Sequence, residues 1–330
     1  MSRVRNHRGS RMDQTSRTES VNESELSAQR FRLGPYPVQV GPTSHLATEV
    51  ERLNSLTWQH FSVTRLSPTI GAELAGIDLT DELSVEAVEE IAAALAAYKV
   101  IFFRDQPLTA EQHVKFAQRF GDLEIHPFIP SNTTQPELVR FQKSAEAAGY
   151  ENAWHHDVTW RATPSASAVL HAIAVPDLGG DTLFCDMYAA YEGLPADLKA
   201  QIETLDLEHT FVHTFGAFLS EDQMTKMLAL YPPPVHPLVC THDVTGRKYL
   251  YVNRNFSSHV VGMAPEESQA LIDLLCRQAD YPEYQCRFRW QPDSVAFWDN
   301  RAVQHYASSD YWPQIRVMER ASIVGAAPHR

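Results

Sequence analysis

Basic residues, cysteine pairs and long apolar runs are the features that this 330-residue sequence has least of. Its 28 Lys and Arg are outnumbered by 41 Asp and Glu, which leaves a formal net charge of −13. Because an acidic surface repels phosphate groups, this balance argues against a general binder of nucleic acid or anionic membranes. We therefore expect neither nucleic acid nor a membrane among its partners.

The few cysteines and the apolar residues are both scattered along the chain. The cysteines are Cys185, Cys240, Cys276 and Cys286. They form no CxxC pair for a structural zinc site or a redox motif, so we expect reduced thiols. No apolar run approaches the roughly 20 residues that span a bilayer, and the N-terminus lacks the apolar stretch of a secretory signal. These absences predict a soluble, cytoplasmic protein.

The composition of the chain changes near residue 60. Residues 1–30 are rich in Ser, Arg, Glu and Asn, so the entropy of ordering would go uncompensated and we expect disorder. Residues 31–58 carry several Pro and Gly and predict an irregular arm ending in a short helix over "TEVERLNSLTW". We therefore expect a disordered or irregular extension over 1–60 and a single domain over 61–330.

Short β-prone segments dominate the predicted domain. Helices are expected at 84–99 and at 109–121, where Gly121 would end the helix, with helical inserts at about 187–204 and 264–279. Around them lie segments such as "VIFFRDQ", "ELVRFQK", "HHDVTW" and "SVAFWDN", separated by Pro, Gly and Asn. This pattern favours a mainly β jelly roll or sandwich with flanking helices over a parallel doubly wound sheet.

The stretch "WHHDVTW" places two histidines and an aspartate side by side. Since successive side chains of a strand point to opposite faces, His155 and Asp157 can reach one ion while His156 points away. An imidazole and a carboxylate suit a divalent metal, and a third protein ligand would leave positions open for substrate and oxygen. His305 in "FWDNRAVQHYA" is the candidate for that ligand. Alone, an HxD triplet arises often by chance.

Two arginines follow His305 in the sequence. Arg316 lies eleven residues after it and Arg320 four residues further on, so both would share one face of a strand. The rigid fork of arginine binds carboxylates or sulfonates in bidentate fashion, which makes the pair a candidate anion clamp. A single arginine would more often be a surface ion-pair partner, but an HxD triplet, a distant His and a following Arg together are far less accidental.

These residues and their surroundings resemble the taurine dioxygenase family of iron(II)- and 2-oxoglutarate-dependent oxygenases, over residues 61 to about 326. The motifs WHxDVT, GGDTL and WDNRxxQH carry the resemblance at family-like spacing, with "LSPTIGAELAGIDL" before them and "RVMERASI" after them. The resemblance implies a double-stranded β-helix, a cupin-like jelly roll, with helices packed on one side. It also implies a homo-oligomer, a dimer or tetramer.

The resemblance implies roles for individual residues. His155, Asp157 and His305 would hold Fe(II), and Arg316 would pair with the distal carboxylate of 2-oxoglutarate, assisted by the hydroxyl of Thr182 in GGDTL. The cosubstrate would chelate the iron through its keto and C1-carboxylate oxygens and leave one position for O2. The implied reaction converts 2-oxoglutarate into succinate and carbon dioxide and hydroxylates a C–H bond of a small anionic substrate.

The resemblance also implies a set of residues around the substrate. His126 and Arg320 match the residues that bind the sulfonate in taurine dioxygenase, and Phe215 and Phe256 match aromatic residues that line its pocket. Glu151 stands where taurine dioxygenase has an asparagine near the substrate amine. A carboxylate there would pair with a substrate ammonium, or it would be a solvated loop residue.

A second departure from taurine dioxygenase bears on the same question. Ile129 replaces a tyrosine, and the apolar wall that results would suit a longer alkyl sulfonate, an alkyl sulfate ester or an aryloxyalkanoate. We predict taurine or a related alkyl sulfonate as the substrate, with release of sulfite. An alkylsulfatase or aryloxyalkanoate dioxygenase of the same family is the first alternative, and a non-enzymatic, metal-stabilised jelly-roll binding protein is the second.

Overall fold

The structure, a computed structural model, describes residues 31–32, 39–149 and 151–330. The chain divides into two units between Ser44 and His45. Residues 1–30, which the sequence predicts to be disordered, lie outside the described residues. In the first unit, strands β1 (Phe31–Arg32) and β2 (Gln39–Val40) pair antiparallel. The second unit contains every residue proposed for the site.

A seven-stranded sheet forms the larger wall of the second unit. It contains, in spatial order, β3 (Ser62–Arg65), β4 (Ala72–Ala75), β5 (Val100–Phe103), β15 (Val295–Asp299), β7 (Ser165–Ala174), β17 (Arg316–Val324) and β6 (Leu138–Lys143). Neighbouring strands run antiparallel except β4 and β5, which run parallel. Strand β5 is buried at all four positions of its sequence VIFF, as a central strand covered on both faces requires.

Smaller sheets complete the β structure. They are β14 (Gln285–Phe288), β8 (Thr182–Asp186) and β16 (Val303–Ala307); β10 (Val235–Pro237), β9 (Asp206–His209) and β13 (Ser257–Val260); and β11 (Val239–Thr241) with β12 (Lys248–Leu250). Phe102 of the large sheet stacks on Phe288 of β14 with 3.9 Å between ring centroids. Trp298 of β15 likewise packs against Phe184 of β8 at 6.0 Å. Side chains of two facing sheets thus form one core, and the predicted mainly β jelly roll, a double-stranded β-helix, is confirmed.

Helices flank the sheets. They are α1 (Ala47–Asn54), α2 (Val85–Tyr98), α3 (Ala110–Gln118), α4 (Met187–Glu192), α5 (Ala196–Ile202), α6 (Val212–Phe215), α7 (Glu221–Leu230) and α8 (Pro265–Cys276). Helix α2 begins where the Ser84 hydroxyl accepts a hydrogen bond from the Ala87 backbone N–H. Its residues Ile91 and Ala94 are fully buried in the core beside the large sheet. Among the described residues, no helix has both the length and the apolar character needed to cross a membrane.

Three local predictions are wrong. The insert at 187–204 is two helices, α4 and α5, because the sequence between them contains Gly193 and Pro195. Helix α3 ends at Gln118, three residues before the glycine expected to end it. The segment "HHDVTW" is not a strand: His155 forms a single-residue β-bridge and a turn follows it.

Candidate active site

A bridge between two histidines begins the site. The backbone N–H of His155 donates to the carbonyl of His305 at 3.1 Å, and the N–H of His305 donates back at 2.9 Å. This pairing attaches the "WHHDVTW" segment to strand β16 and brings the two imidazole rings to 4.2 Å between centroids. His156 packs against Tyr251 at 5.1 Å and does not line the cavity described below, so the prediction that it points away is confirmed.

Asp157 is held in place by its backbone. Asn300, in the WDN motif after β15, accepts a hydrogen bond from the Asp157 N–H at 2.7 Å and donates to the carbonyls of Asp157 and Ser165 at 3.0 and 2.9 Å. The next residue, Val158, has φ +49, a left-handed conformation that turns the chain sharply. The sequence does not foresee this turn, because strand alternation alone was expected to place Asp157 beside His155.

Three candidate metal ligands converge. One ligand atom each of His155, Asp157 and His305 lies within 4.8 Å of the others. The Nε2 atoms of His155 and His305 lie 3.8 and 3.9 Å from the Asp157 carboxylate oxygens. The Nδ1 of His155 is hydrogen-bonded to the Ala153 carbonyl at 2.8 Å, which leaves Nε2 free to bind a metal. Buried Asp157 Oδ2 has no hydrogen-bond partner among the described residues, as expected of an atom that coordinates an ion.

The protonation states suit a metal. Burial raises the pKa of the Asp157 carboxyl, but Arg320 and the nearby imidazoles of His305 and His155 lower it more, to about 2. Arg320 Nη1 donates to Asp157 Oδ1 at 2.8 Å, so the carboxylate is charged at neutral pH and keeps its other oxygen available. Burial lowers the pKa of His305 well below its usual range, and its imidazole is therefore neutral.

A second group of residues surrounds Arg316 at the start of β17. Its guanidinium is buried, and its Nε has no hydrogen-bond partner within the described parts of the chain. Gly180 of GGDTL, at φ +71, lies so close that a Cβ there would be 3.3 Å from Arg316 Cδ. Trp290 Nε1 donates to Thr182 Oγ1 at 2.9 Å, so the threonine hydroxyl hydrogen is left to donate elsewhere. A buried cation beside a hydroxyl donor suits a carboxylate.

Both groups line one cavity. Its volume is about 440 Å³, within the range of small-molecule sites. All ten residues that the sequence proposes for the site line this cavity, and so does Ile129. The sequence therefore identifies residues that surround one cavity. Lining the cavity does not by itself assign a role to any of these residues.

His126 lines the cavity and is arranged as a hydrogen-bond donor. Its Nδ1 accepts hydrogen bonds from the backbone N–H groups of Phe128 and Ile129, both at 3.2 Å. Burial, followed by the positive charges of Arg320 and Arg161, lowers its pKa to about 3. The ring is therefore neutral with its hydrogen on Nε2, which offers an N–H to an anion at any ordinary pH.

Phe215 and Phe256 form an apolar wall of the cavity, and the ring of Phe215 lies 6.0 Å from that of His126. Phe128 and Phe215 stack with ring centroids 4.8 Å apart, and Phe215 lies 6.4 Å from Phe256 in a nearly parallel orientation. Phe256 also approaches the ring of the candidate ligand His155 at 6.5 Å. An apolar group held against this wall would lie beside the metal ligands.

Glu151 lies at the Arg316 end of the cavity. Its carboxylate forms an ion pair with Lys143 Nζ at 2.6 Å. Burial lowers the pKa of Arg316, and the charge of Glu151 is among the groups that oppose this effect. The sequence identifies Glu151 but misses Lys143, Trp290 and Asn300. Lys143 ends a predicted strand and Asn300 lies in the motif WDNRxxQH. Their positions in the sequence could have indicated a place near the site, but no chemical pattern distinguishes them from other residues.

Two histidines and one carboxylate beside an open cavity are the ligand set of non-haem iron(II) oxygenases, and on a jelly roll they define that class of protein. The chain belongs to the taurine catabolism dioxygenase TauD, TfdA family, whose sequence profile matches residues 62–322.

Relatives within this family differ in the substrates that their names state. An alkylsulfatase of Acinetobacter baylyi is 33% identical, covering 81% of this chain and 86% of its own. An alpha-ketoglutarate-dependent 2,4-dichlorophenoxyacetate dioxygenase of Cupriavidus pinatubonensis is 32% identical, covering 73% and 89%. The crystal structure of a taurine dioxygenase from Burkholderia xenovorans is 37% identical, with a TM-score of 0.72, and covers 82% of this chain and 91% of that one.

The family settles the class of reaction. The chain is an enzyme, a dioxygenase that uses Fe(II), 2-oxoglutarate and O2, and those predictions are confirmed. The alternative of a non-enzymatic binding protein drops out. A small-molecule substrate is likewise supported, but the relatives are similar in identity and differ in named substrate, so the choice among substrates depends on the cavity.

Proposed function

We propose that this dioxygenase hydroxylates an alkyl sulfonate or an alkyl sulfate ester at the carbon next to the sulfur or the ester oxygen. The observation that carries the proposal is the pairing of a neutral N–H donor with an apolar wall. His126 lines the cavity and carries its hydrogen on Nε2, and Phe215 and Phe256 line the side near the metal ligands. An anionic head with an alkyl chain matches both.

In this proposal His155, Asp157 and His305 hold the iron, and Arg316 with Thr182 holds the distal carboxylate of 2-oxoglutarate. Bound iron and cosubstrate supply the oxidation: 2-oxoglutarate loses carbon dioxide to become succinate, and one oxygen atom of O2 is transferred to the substrate carbon. The buried, unpartnered Asp157 Oδ2 and Arg316 Nε support these assignments, because each polar atom otherwise lacks a hydrogen bond within the described residues.

The anionic group of the substrate is proposed to bind between His126 and Arg320. His126 donates one hydrogen bond without needing a proton from solution. Arg320 carries a fixed positive charge. Its Nη1 donates to Asp157, and its buried Nε has no hydrogen-bond partner among the described residues. These two donors would orient the adjacent C–H bond towards the metal, since positioning is the main task left to the protein.

The hydroxylated product decomposes without further catalysis. A hydroxyl on the carbon that carries a sulfonate yields an aldehyde and sulfite when the C–S bond breaks, and the corresponding sulfate ester yields an aldehyde and sulfate when the C–O bond breaks. One substrate, one O2 and one 2-oxoglutarate therefore give one aldehyde, one sulfur oxyanion, one succinate and one carbon dioxide.

Taurine, the leading prediction from the sequence, carries an ammonium group. Glu151 is the carboxylate proposed to meet it, but Glu151 is paired with Lys143 and lies beside Arg316. This pairing favours substrates with an uncharged chain over an amino sulfonate. An aryloxyalkanoate is the second candidate, because the nearly parallel rings of Phe215 and Phe256 line the cavity and offer flat surfaces to an aromatic substrate.

A substrate panel with succinate as the readout tests the proposal. Purified enzyme is supplied with Fe(II), O2 and 2-oxoglutarate together with taurine, linear alkyl sulfonates, linear alkyl sulfates or phenoxyacetates, and sulfite and sulfate are quantified alongside. We expect succinate coupled to sulfite or sulfate with the alkyl substrates. Coupling to taurine alone or to phenoxyacetates alone would reject the proposed substrate class.

A further inference from the structure

Two cations stand opposite each other across neighbouring strands at one end of the cavity. Lys143 of β6 and Arg316 of β17 are direct partners in the antiparallel register, and both line the cavity. Opposite residues on one face have Cβ atoms about 5 Å apart, and like charges in such positions destabilise the pairing. Something negative must compensate these two side chains.

Glu151 supplies part of that compensation. Its carboxylate oxygen Oε1 lies 2.6 Å from Lys143 Nζ. Its other oxygen, Oε2, lies next to Gly149 together with two hydroxyls. A Cβ built on Gly149 would be 3.3 Å from Glu151 Oε2, 2.9 Å from Tyr311 Oη and 3.1 Å from Ser309 Oγ. The ring of Tyr311 is in turn 5.9 Å from the Arg316 guanidinium.

The carboxylates nearest Arg316 already have other cationic partners. Glu151 and Asp181 are the carboxylates that act on its guanidinium. Lys143 binds the first at 2.6 Å, and Arg287 binds the second at 2.6 Å and lies 3.9 Å from Asp310. Among the described residues, no carboxylate lies within ion-pair distance of Arg316 itself. A single added carboxylate would therefore pair with Arg316.

We infer that the Lys143–Glu151 ion pair sets the charge of the subsite that receives the distal carboxylate of 2-oxoglutarate, and so determines selectivity for a 2-oxo acid with one such group. The inference rests on the proposed role of Arg316. With Lys143 neutralised by Glu151, one carboxylate satisfies Arg316. Removing Lys143 exposes the incoming carboxylate to the negative charge of Glu151, and removing Glu151 exposes it to the positive charge of Lys143.

Charge variants and two cosubstrates test this inference. Lys143→Met, Glu151→Gln and the double variant are compared with the wild type by anaerobic titration of the Fe(II) enzyme, following the visible metal-to-ligand charge-transfer band. The ligands are 2-oxoglutarate and pyruvate, which chelates a metal in the same way but has no distal carboxylate. Lys115→Met is the matched control, because Lys115 is 70% exposed and pairs with exposed Glu111 on helix α3.

The expected pattern is specific to charge. Lys143→Met weakens 2-oxoglutarate binding about tenfold, Glu151→Gln tightens it, and the double variant, which restores the balance, returns to within about twofold of the wild type. Pyruvate binds all four proteins equally, and Lys115→Met matches the wild type with both ligands. Unfolding temperatures of the variants establish that each is folded.

Other outcomes separate the two claims. If wild-type enzyme forms no charge-transfer band with Fe(II) and 2-oxoglutarate, the proposed assignment of Arg316 and the metal ligands fails. If the wild type binds 2-oxoglutarate but the single variants bind it equally well, the inference alone is wrong. A loss of pyruvate affinity equal to the loss for 2-oxoglutarate would also overturn it, because the variants would then act on chelation.

Discussion

The two oxygens of Asp157 have different partners. Oδ1 accepts a hydrogen bond from Arg320 at 2.8 Å, and Oδ2 is buried without a hydrogen bond inside the described structure. Arg320 therefore fixes the carboxylate and keeps it ionised while leaving one oxygen available. A single arginine near the metal is thus proposed to orient a ligand on one side and a substrate anion on the other.

The substitution Asp157→Asn tests whether Asp157 binds the metal, apart from any effect on the fold. The amide keeps an oxygen for Arg320 and nearly the same volume, but it removes the negative charge that the ion requires. We expect Fe(II) affinity to fall more than about 100-fold, beyond the effect of losing an outer hydrogen-bond partner, and succinate formation to stop. Calorimetric titration with Mn(II) in place of Fe(II) measures the affinity, and Asp243→Asn, at an exposed position, is the control. Unchanged metal affinity would exclude Asp157 as a ligand.

Thr182→Val tests the hydroxyl beside Arg316. The variant keeps the shape of the side chain but loses a hydrogen bond to a carboxylate, so we expect the KM for 2-oxoglutarate to rise about tenfold. The kcat at saturating cosubstrate should stay within about twofold of the wild type, since the hydroxyl is remote from the reacting bond. Thr182→Ser, which restores the donor, should recover the wild-type KM. A fall in kcat with an unchanged KM would contradict the assignment.

At the scale of elements, the site depends on a turn that hydrophobic patterning does not show. The pattern of "WHHDVTW" resembles a strand, but the structure has a one-residue bridge and a turn. The ligands meet because Asn300, remote in sequence, binds the backbone of Asp157. Motif matching identifies such a residue but not its role, since the role depends on tertiary hydrogen bonds.

Asn300→Ala should therefore damage the turn and the metal site together. The substitution leaves the Asp157 N–H and the carbonyls of Asp157 and Ser165 without this partner in a buried place. We expect a loss of about 3 kcal/mol in unfolding free energy, measured by urea denaturation, and a weaker Mn(II) affinity. Exposed Asn54→Ala serves as the control. A variant that is destabilised but binds Mn(II) normally would show that the turn does not position Asp157.

Helices show where local signals suffice and where they do not. Helix α2 was predictable because Ser84 caps it and its apolar residues recur at helical spacing. Helix α7 was not predicted, although Ser220 and Gln223 form a capping box at its start. Its residues are at most partly buried, so the hydrophobic periodicity that identifies most helices is weak there.

At the scale of the whole molecule, motifs found the cavity because residues distant in sequence meet between the sheets. The cross-strand register that places Lys143 opposite Arg316 could not be read from the sequence, because it depends on how β6 aligns with β17. The homo-oligomeric state and the cytoplasmic location stay predictions. Sedimentation velocity of the full chain, with a dimer or tetramer expected, checks the first.

An ion-pair network joins segments that are far apart in the sequence. The carboxylate of Glu49 in helix α1 forms ion pairs with Lys99 Nζ at 2.6 Å, with Arg247 at 2.8 Å and with Arg52 at 2.8 Å. Lys99, at the junction of α2 and β5, is 1% exposed. Burial raises the pKa of Glu49, but Arg52, Lys99 and Arg247 lower it more, to about 2. Glu49 and Asp186, the latter at 3.5 Å, together compensate this buried lysine.

The network predicts how stability depends on pH. A carboxyl whose pKa is lower in the folded state stabilises the fold above its unfolded value, 4.5, and this stabilisation is lost as the pH falls from 4.5 towards 2. The full shift corresponds to roughly 3 kcal/mol, and solvent screening around the half-exposed Arg52 reduces it to about 2 kcal/mol. Glu49→Gln should be destabilised by that amount at pH 7.

Urea unfolding of the wild type and Glu49→Gln across pH 3 to 7 measures this difference. The gap between the two proteins should be largest at pH 7 and should narrow below about pH 4.5, because Glu49 takes up a proton in the unfolded wild type while it stays ionised in the folded state down to about pH 2. Glu111→Gln, in an exposed ion pair that solvent screens, should show a much smaller pH-dependent gap. A gap for Glu49→Gln that stays constant down to pH 3 would mean that packing of the side chain, and not its charge, stabilises the attachment of helix α1.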